Sequence, residues 1–151
     1  MIFDVFLGEY HEFKTFFHGH SFTGNQLGAA AALASLNILQ SPASIRARER
    51  IEHTLRQLVP GLWSLPAVGD IRQAGRVVGV ELVRDWRTRA PFELRERAGQ
   101  RVCEEMARRG VLTRPIGNVV VLMPPYCTTD SQLATMVEVL GASIRRVLPG
   151  G

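Results

Sequence analysis

The spacing of apolar residues divides most of the chain into short helices and strands. Apolar positions recur every three or four residues from Pro42 to just before Pro60, from Glu93 to Arg109, and after Thr129, which predicts three amphipathic helices. Apolar residues that alternate with polar ones, or runs of β-branched residues, predict strands in between. These predicted strands are 68–74, 76–83, 111–114 and 119–123, with hairpin turns at Gly75 and at Gly117-Asn118.

The order of these elements predicts the fold class. Two leading helices are followed by strand, strand, helix, strand, strand and helix, which is typical of an α+β fold. We therefore expect a small antiparallel sheet with helices packed on one face. Ser41-Pro42 separates this part from the N-terminal segment, so the predicted domains are 1–40 and a small α+β domain, 41–151.

The N-terminal segment is unusually apolar. Residues 1–17 are rich in phenylalanine, and the helix predicted from Gln26 carries no charge as far as Gln40. A helix without a polar face is expected to be buried nearly all round. An apolar segment of this kind needs a partner surface, and we therefore expect self-association.

A glycine-containing loop leads into that uncharged helix. Gly19 and Gly24 allow the backbone to turn closely, and Asn25 is a good N-cap. Ser21 and Thr23 add hydroxyl groups beside the helix N-terminus, where the helix dipole favours an anion such as phosphate. The alternative is an ordinary helix start that binds no ligand.

The charges argue against a nucleic-acid surface, although the net charge is +4 and the pI is about 9.8. The arginines are interleaved with glutamates along the predicted helices, which indicates solvated, salt-bridged faces. No apolar run reaches the roughly 18 residues of a membrane span. The start of the chain has no basic region typical of a signal peptide, and Cys103 and Cys127 do not suggest a disulfide framework, so we expect a cytoplasmic protein.

Two further kinds of site receive little support. His18 and His20 share a face of an extended segment, but no third ligand is placed beside them, so no metal site is predicted. Cys103 lies among apolar helix positions and is expected in the core. Cys127 has no basic neighbour in sequence and is not expected to act as a nucleophile.

The loop at 18–28, which reads HGHSFTGNQLG, resembles the corresponding loop of class III (ornithine-type) pyridoxal-phosphate aminotransferases. Gln26 stands where that family usually has proline, and Gly28 where it has alanine. The resemblance implies a homodimer in which this loop reaches the neighbouring subunit and binds its cofactor phosphate. The residues implied are Gly19, His20 and Ser21, with the Ser21 hydroxyl donating directly.

Two later segments extend the resemblance. Residues 70–81 resemble the opening of the small domain of that family, and 114–126 narrow the resemblance to the branch that makes 7,8-diaminopelargonic acid in biotin synthesis. This branch transfers an amino group, in most members from S-adenosylmethionine, to 8-amino-7-oxononanoate. The resemblance implies that Arg114 binds the carboxylate of this keto acid. Otherwise Arg114 lies in solvent or pairs with Glu81 or Glu105.

The chain lacks a lysine at the position where such enzymes attach their cofactor. Lys14 is its only lysine, and it precedes the loop, where the family has an ordinary residue. In the family, the Schiff-base lysine and the aspartate at the pyridine nitrogen both lie upstream of the matched region. We therefore expect no catalytic residue here and no covalently attached pyridoxal 5'-phosphate. The resemblance implies the C-terminal part of a fold-type-I enzyme, inactive without its large domain, of which 1–40 would be the end.

Two readings without catalysis stay open at this point. One is a catalytically dead α+β domain that dimerises through its apolar N-terminal segment. The other is a basic regulatory or RNA-binding module, suggested by the high pI.

Overall fold

Two units make up the chain in the computed structural model, which describes residues 2–17 and 19–149. The first unit is Met1–Leu39 and the second is Gln40–Gly151. In the first unit, two 3-10 turns at Ile2–Phe6 and Tyr10–Glu12 precede helix α1, Gln26–Leu39. The N–H of Gly28 donates to Asn25 Oδ1 at 2.8 Å, so Asn25 caps this helix as the sequence predicts.

Helix α1 is not buried as its composition predicts. None of its residues is buried, and Leu27 and Leu33 are 83% and 64% exposed. The prediction is wrong for this chain by itself, because the described part of the first unit has only the two 3-10 turns besides α1 and so provides no helix or sheet to cover it. The absence of charged residues indicates that a helix packs against a partner surface, but it does not indicate which chain supplies that surface.

The second unit has the predicted α+β architecture with a small antiparallel sheet. Its strands are β1 (Val68–Ala74), β2 (Val77–Asp85), β3 (Ala90–Pro91), β4 (Pro115–Ile116) and β5 (Val119–Leu122). Its helices are α2 (Pro42–Leu58), α3 (Ala98–Arg108) and α4 (Asp130–Val147). The strand order is β1-β2-β5-β4, and β3 pairs with β2. The β1–β2 hairpin turns at Gly75, whose φ is +56°, as predicted.

Alternation along the strands places the core on one face of the sheet. On β2 the side chains of Val78, Val80 and Leu82 are fully buried, whereas Gly79 and Glu81 between them are only partly buried. These valines and the leucine belong to one apolar cluster with residues of the three helices. The helical members include Ile51, Leu55, Val102, Met106, Leu133, Leu140 and Ile144. The predicted stripes of α2 and α4 therefore face the sheet.

The helix predicted at 93–109 is shorter in the structure. Leu94–Glu96 form a 3-10 turn, and Arg97 has a left-handed φ of +54°, so α3 begins only at Ala98. The cause is a local side-chain bond: the Glu96 carboxylate accepts from the N–H of Glu93 at 2.8 Å and also from Arg84. Leu94, predicted on the buried face, is 74% exposed.

The strand predicted at 111–114 is also absent. These four residues have no regular structure, and strand β4 starts at Pro115. The Val111 N–H bonds back to the Met106 carbonyl at the end of α3, at 3.0 Å. The hydroxyl of Thr113 donates to the Val121 carbonyl, so a side chain takes the place of a backbone donor. Pro115 itself has no N–H to offer.

Gly99 brings helix α3 into close contact with the turn that follows β4. A Cβ atom built on Gly99 would lie 2.4 Å from the carbonyl oxygen of Gly117 and 2.8 Å from Cβ of Pro115. Both distances are far shorter than van der Waals contact, so only glycine fits at this position without movement of the backbone. The first turn of α3, which has no side chain at Gly99, thus sets the position of residues 115–117. These residues directly follow Arg114.

Candidate functional site

The loop at 19–25 is a pair of tight turns directly before α1. The N–H of Thr23 donates to the His20 carbonyl at 3.1 Å, and the N–H of His20 donates to Thr23 Oγ1 at 3.2 Å. The N–H of Asn25 donates to the Phe22 carbonyl at 3.1 Å, and Gly24 between them has a φ of +77°. This conformation requires glycine at 24 and delivers the chain to the N-cap of the helix.

The site residues predicted on this loop lie side by side and are exposed. Ser21 has no hydrogen-bond partner among the residues that the structure describes, so its hydroxyl is available to a ligand. A Cβ atom built on Gly19 meets no atom within 4 Å, which leaves open space beside the backbone there. Thr23, by contrast, uses its hydroxyl oxygen within the turn. His18, the first residue of the motif, lies outside the described residues.

A large apolar cleft lies in the second unit. Its volume is about 1010 Å³, and its walls come from the segment between α3 and β4, from β5 and the loop after it, and from α4. The apolar lining residues include Val111, Leu112, Ile116, Val121, Met123 and Met136. Of the lining residues in the described part of the chain, Arg114 is the one that carries a charge. A single guanidinium beside a mostly apolar wall suits a ligand with one anionic group and an apolar body.

Arg114 is exposed and has no hydrogen bond or ion pair with any residue in the described part of the chain. Glu81, one of its two predicted alternative partners, pairs with Arg72 at 3.3 Å. The other, Glu105, pairs with Arg109 at 2.9 Å and also with two more arginines. The guanidinium of Arg114 is therefore free to grip a carboxylate through two parallel hydrogen bonds.

The environment of Glu105 explains why it is unavailable to Arg114. Its side chain is 8% exposed, and its carboxylate also pairs with Arg146 from α4 at 3.2 Å. The hydrogen bond from Arg109, with the charge of Arg146 close by, holds the pKa of the Glu105 carboxyl below its usual value, against the opposing effect of desolvation. Glu105 thus joins α3 to α4 and serves the fold.

Lys14, the only lysine of the chain, is an exposed residue of the first unit. Its Nζ lies 2.7 Å from Oε1 of Glu12, and its side chain is 47% exposed. A lysine that forms a Schiff base attacks the aldehyde through Nζ, and in Lys14 this nitrogen is engaged by the Glu12 carboxylate. Its surroundings are those of a surface residue.

Cys103 contributes to the fold. Cys103 is buried in the core as predicted, and burial, together with the nearby charge of Glu104, raises the pKa of its thiol to about 11.

Within residues 2–17 and 19–149, no three side chains of histidine, cysteine, aspartate or glutamate are grouped to hold a metal ion. None of the described helices is long and apolar enough to cross a membrane.

Sequence reasoning proposed Arg114 as a binding residue, which stays a prediction, and it did not predict the residues that hold the cleft wall around it. Arg50 and Arg76 bond to backbone carbonyls of the loop between β5 and α4, which forms part of the cleft wall. These partners lie 78 and 48 residues apart in sequence. No local sequence pattern predicts such contacts, because an arginine on a helix or beside a turn can equally well be exposed to solvent.

Comparison with known proteins matches both units. The model of the family "Aminotransferase class-III" matches residues 6–144. The adenosylmethionine-8-amino-7-oxononanoate aminotransferase of Geobacter sulfurreducens is 47% identical over 149 residues, which cover 99% of this chain and 33% of that protein. The enzyme of the same name from Nitratidesulfovibrio vulgaris is 48% identical over 151 residues, 99% of this chain and 28% of that protein.

A solved structure gives the same result. The crystal structure of the adenosylmethionine-8-amino-7-oxononanoate aminotransferase of Methanocaldococcus jannaschii superimposes with a TM-score of 0.82 at 38% identity, over 96% of this chain and 33% of that one. The chain therefore spans about a third of the length of the relatives it matches. Since the family model covers nearly all of the sequence, the chain belongs to the class III aminotransferase family.

Proposed function

We propose that this chain is the C-terminal part of a pyridoxal-phosphate enzyme that transfers an amino group to 8-amino-7-oxononanoate, with S-adenosylmethionine as the donor. The observation that carries the proposal is Arg114, whose guanidinium has no partner among the described residues and which is the only charged one of them that lines the apolar cleft. The names of the relatives support the choice of substrate. In this proposal 1–40 is the end of the large, cofactor-binding domain and 41–151 is the small domain.

Arg114 would orient the keto acid by its carboxylate. In 8-amino-7-oxononanoate a run of methylene groups separates the carboxylate from the reacting carbonyl group. A bidentate bond from the guanidinium fixes one end of this molecule, and the apolar cleft wall excludes water from the methylene chain. Such positioning raises the rate because the reacting carbonyl is presented in a restricted set of orientations.

The loop at 19–25 would hold the phosphate of the cofactor. Pyridoxal phosphate, when bound, supplies the electron sink that makes transamination possible. The residues present fit its phosphate: the Ser21 hydroxyl is unpaired among the described residues, Gly19 leaves open space, and the N-terminus of α1 follows. By the resemblance stated above, the phosphate bound by Gly19, His20 and Ser21 belongs to the neighbouring subunit of a homodimer.

Exposed apolar side chains support the homodimer. Tyr10, Phe17, Phe22 and Leu27 are between 76% and 90% exposed, which is unusual for a unit of a soluble protein. We expect the purified chain to sediment as a dimer or larger species at micromolar concentration. A clean monomer that stays soluble at high concentration would contradict this part of the proposal.

The proposal is tested on the complete enzyme, with 8-amino-7-oxononanoate as the amino acceptor and with Ser21→Ala as the variant. The wild type should transfer the amino group. Ser21→Ala removes one donor to the phosphate, so cofactor retention should weaken by roughly 1–2 kcal/mol, about 5- to 30-fold in Kd. Excess pyridoxal phosphate should restore the rate.

Ser35→Ala, an exposed serine of α1 outside the loop, is the matched control and should retain the cofactor normally. A wild-type enzyme that ignores the keto acid would disprove the assigned reaction. A Ser21→Ala defect that added cofactor leaves untouched would disprove the phosphate role.

A further inference from the structure

One wall of the cleft is an irregular loop, residues 124–129, that joins β5 to α4. Pro124, Pro125, Cys127 and Thr128 of this loop line the cleft that also contains Arg114. The loop is stabilised by few internal hydrogen bonds, because its two consecutive prolines have no backbone N–H to donate. The one backbone hydrogen bond within it among the described residues runs from the N–H of Thr128 to the Pro125 carbonyl, at 3.1 Å.

Arg76 holds the beginning of the loop from the β1–β2 hairpin. It follows Gly75 at the hairpin turn, and its Nη1 donates to the Pro124 carbonyl at 2.6 Å. Its guanidinium carbon lies 4.6 Å from the ring centroid of Tyr126. One planar group therefore bonds to the backbone and stacks on a side chain of the same loop, which the point charge of a lysine cannot reproduce.

The end of the loop is held from helix α2. Nη2 of Arg50 donates to the Thr128 carbonyl at 2.6 Å, and its Nη1 pairs with the carboxylate of Asp130, the first residue of α4. Thr54 donates to the same carboxylate at 3.1 Å. The end of the loop is thus anchored to a helix and to the capping box of α4. Its beginning is held by Arg76, which bonds to the Pro124 carbonyl and lies closer to the Tyr126 ring than Arg48 does, at 4.6 Å against 5.9 Å from the ring centroid.

We propose that Arg76 is a positioning residue for the keto acid: by holding Pro124 and Tyr126 it keeps the 124–129 loop in place as the wall of the Arg114 cleft. The inference rests on the proposed function, in which Arg114 binds the carboxylate of that acid. Arg76 is not among the lining residues, so its effect on the substrate passes through the loop.

The test compares Arg76→Met with Arg72→Met in the complete enzyme. Arg72 lies on the same hairpin but pairs with Asp70 and Glu81, away from the loop. Arg76→Met should raise KM for 8-amino-7-oxononanoate about 3- to 10-fold, the range of one lost hydrogen bond with its stacking contact. The kcat and the half-reaction with the amino donor should stay within about twofold, Arg76→Lys should fall in between, and Arg72→Met should match the wild type.

Hydrogen exchange gives a second readout. The backbone amides of Tyr126 and Cys127 should exchange faster in Arg76→Met and at the normal rate in Arg72→Met, because a loop that loses its anchor opens more often. If Arg76→Met does not fold, Tyr126→Leu removes the stacking surface while the bond from Arg76 to the Pro124 carbonyl remains, and a smaller rise in KM for the keto acid is expected.

The inference is overturned if Arg76→Met leaves KM for the keto acid unchanged, or if it lowers both half-reactions equally. Arg114→Lys in the same series separates the two proposals. When Arg114→Lys raises KM and Arg76→Met does not, only the positioning role fails. When neither variant changes KM, the proposed carboxylate site itself is wrong.

Discussion

Arg114→Lys in the complete enzyme should lower kcat/KM for 8-amino-7-oxononanoate by about 30- to 1,000-fold. The guanidinium of Arg114 has no partner in the described part of the chain, so it can offer both of its parallel N–H groups to a carboxylate. A lysine ammonium keeps the charge but loses the planar fork. The loss of such a pair corresponds to about 2–4 kcal/mol of transition-state stabilisation.

Measuring the two half-reactions separately shows which substrate is affected by Arg114→Lys. The half-reaction with the amino donor should change much less than the half-reaction with the keto acid, provided that the donor carboxylate is held elsewhere. Arg101→Lys, on the exposed side of α3 and outside the cleft, is the matched control and should behave as the wild type. Equal damage to both half-reactions would show that Arg114 does not recognise the keto acid.

The isolated chain should not attach pyridoxal phosphate covalently in stoichiometric amounts. Its only lysine, Lys14, is exposed and its Nζ is engaged by the Glu12 carboxylate, so this nitrogen is not held ready to attack an aldehyde. Mixing the chain with the cofactor, reducing with borohydride and weighing the product should give mostly unmodified protein. The same experiment on the complete enzyme should give one phosphopyridoxyl group per chain, on a lysine outside these 151 residues.

Two controls make this result specific. Lys14→Arg should show the same low background as the wild-type chain, which would assign that background to the N-terminal amine. Labelling of urea-unfolded chain shows what an unstructured lysine does. A full equivalent on Lys14 that requires the folded chain would refute the prediction, and with it the idea that the reactive lysine lies in another part of the enzyme.

Structural features that depend only on residues close together in the chain were predictable from the sequence. The capping box of α4 has both bonds expected of it: the N–H of Gln132 donates to Thr129 Oγ1 at 3.3 Å, and the N–H of Thr129 donates to Gln132 Oε1 at 2.8 Å. The turn at Gly75 also followed from a local requirement, a positive φ. Both depend on neighbours in sequence, so a pattern of residue types is enough to predict them.

Features that depend on distant or absent partners were not predictable. Helix α1 is exposed because the described part of its unit has only two 3-10 turns besides it, and composition cannot reveal whether a covering surface is present. The contact between Arg76 and Tyr126 joins a hairpin turn to a loop that follows it only after four more strands and a helix. The carboxylate role of Arg114 came from resemblance alone, and it stays a prediction until the variants are measured.

Under the proposed function, the close approach at Gly99 determines which parts of the cleft can be altered to change the acid that is accepted. The segment after Arg114 rests on bare helix backbone, so a side chain at 99 would displace the Gly117 carbonyl and shift the arginine with it. Leu112, Met123 and Met136 contribute side chains to the lining. These can be exchanged for larger or smaller ones while the backbone stays in place. Under the proposed function, substitutions of these side chains are therefore expected to change the length and bulk of the acid that is accepted, whereas the position of its charged end is fixed by the backbone that carries Arg114.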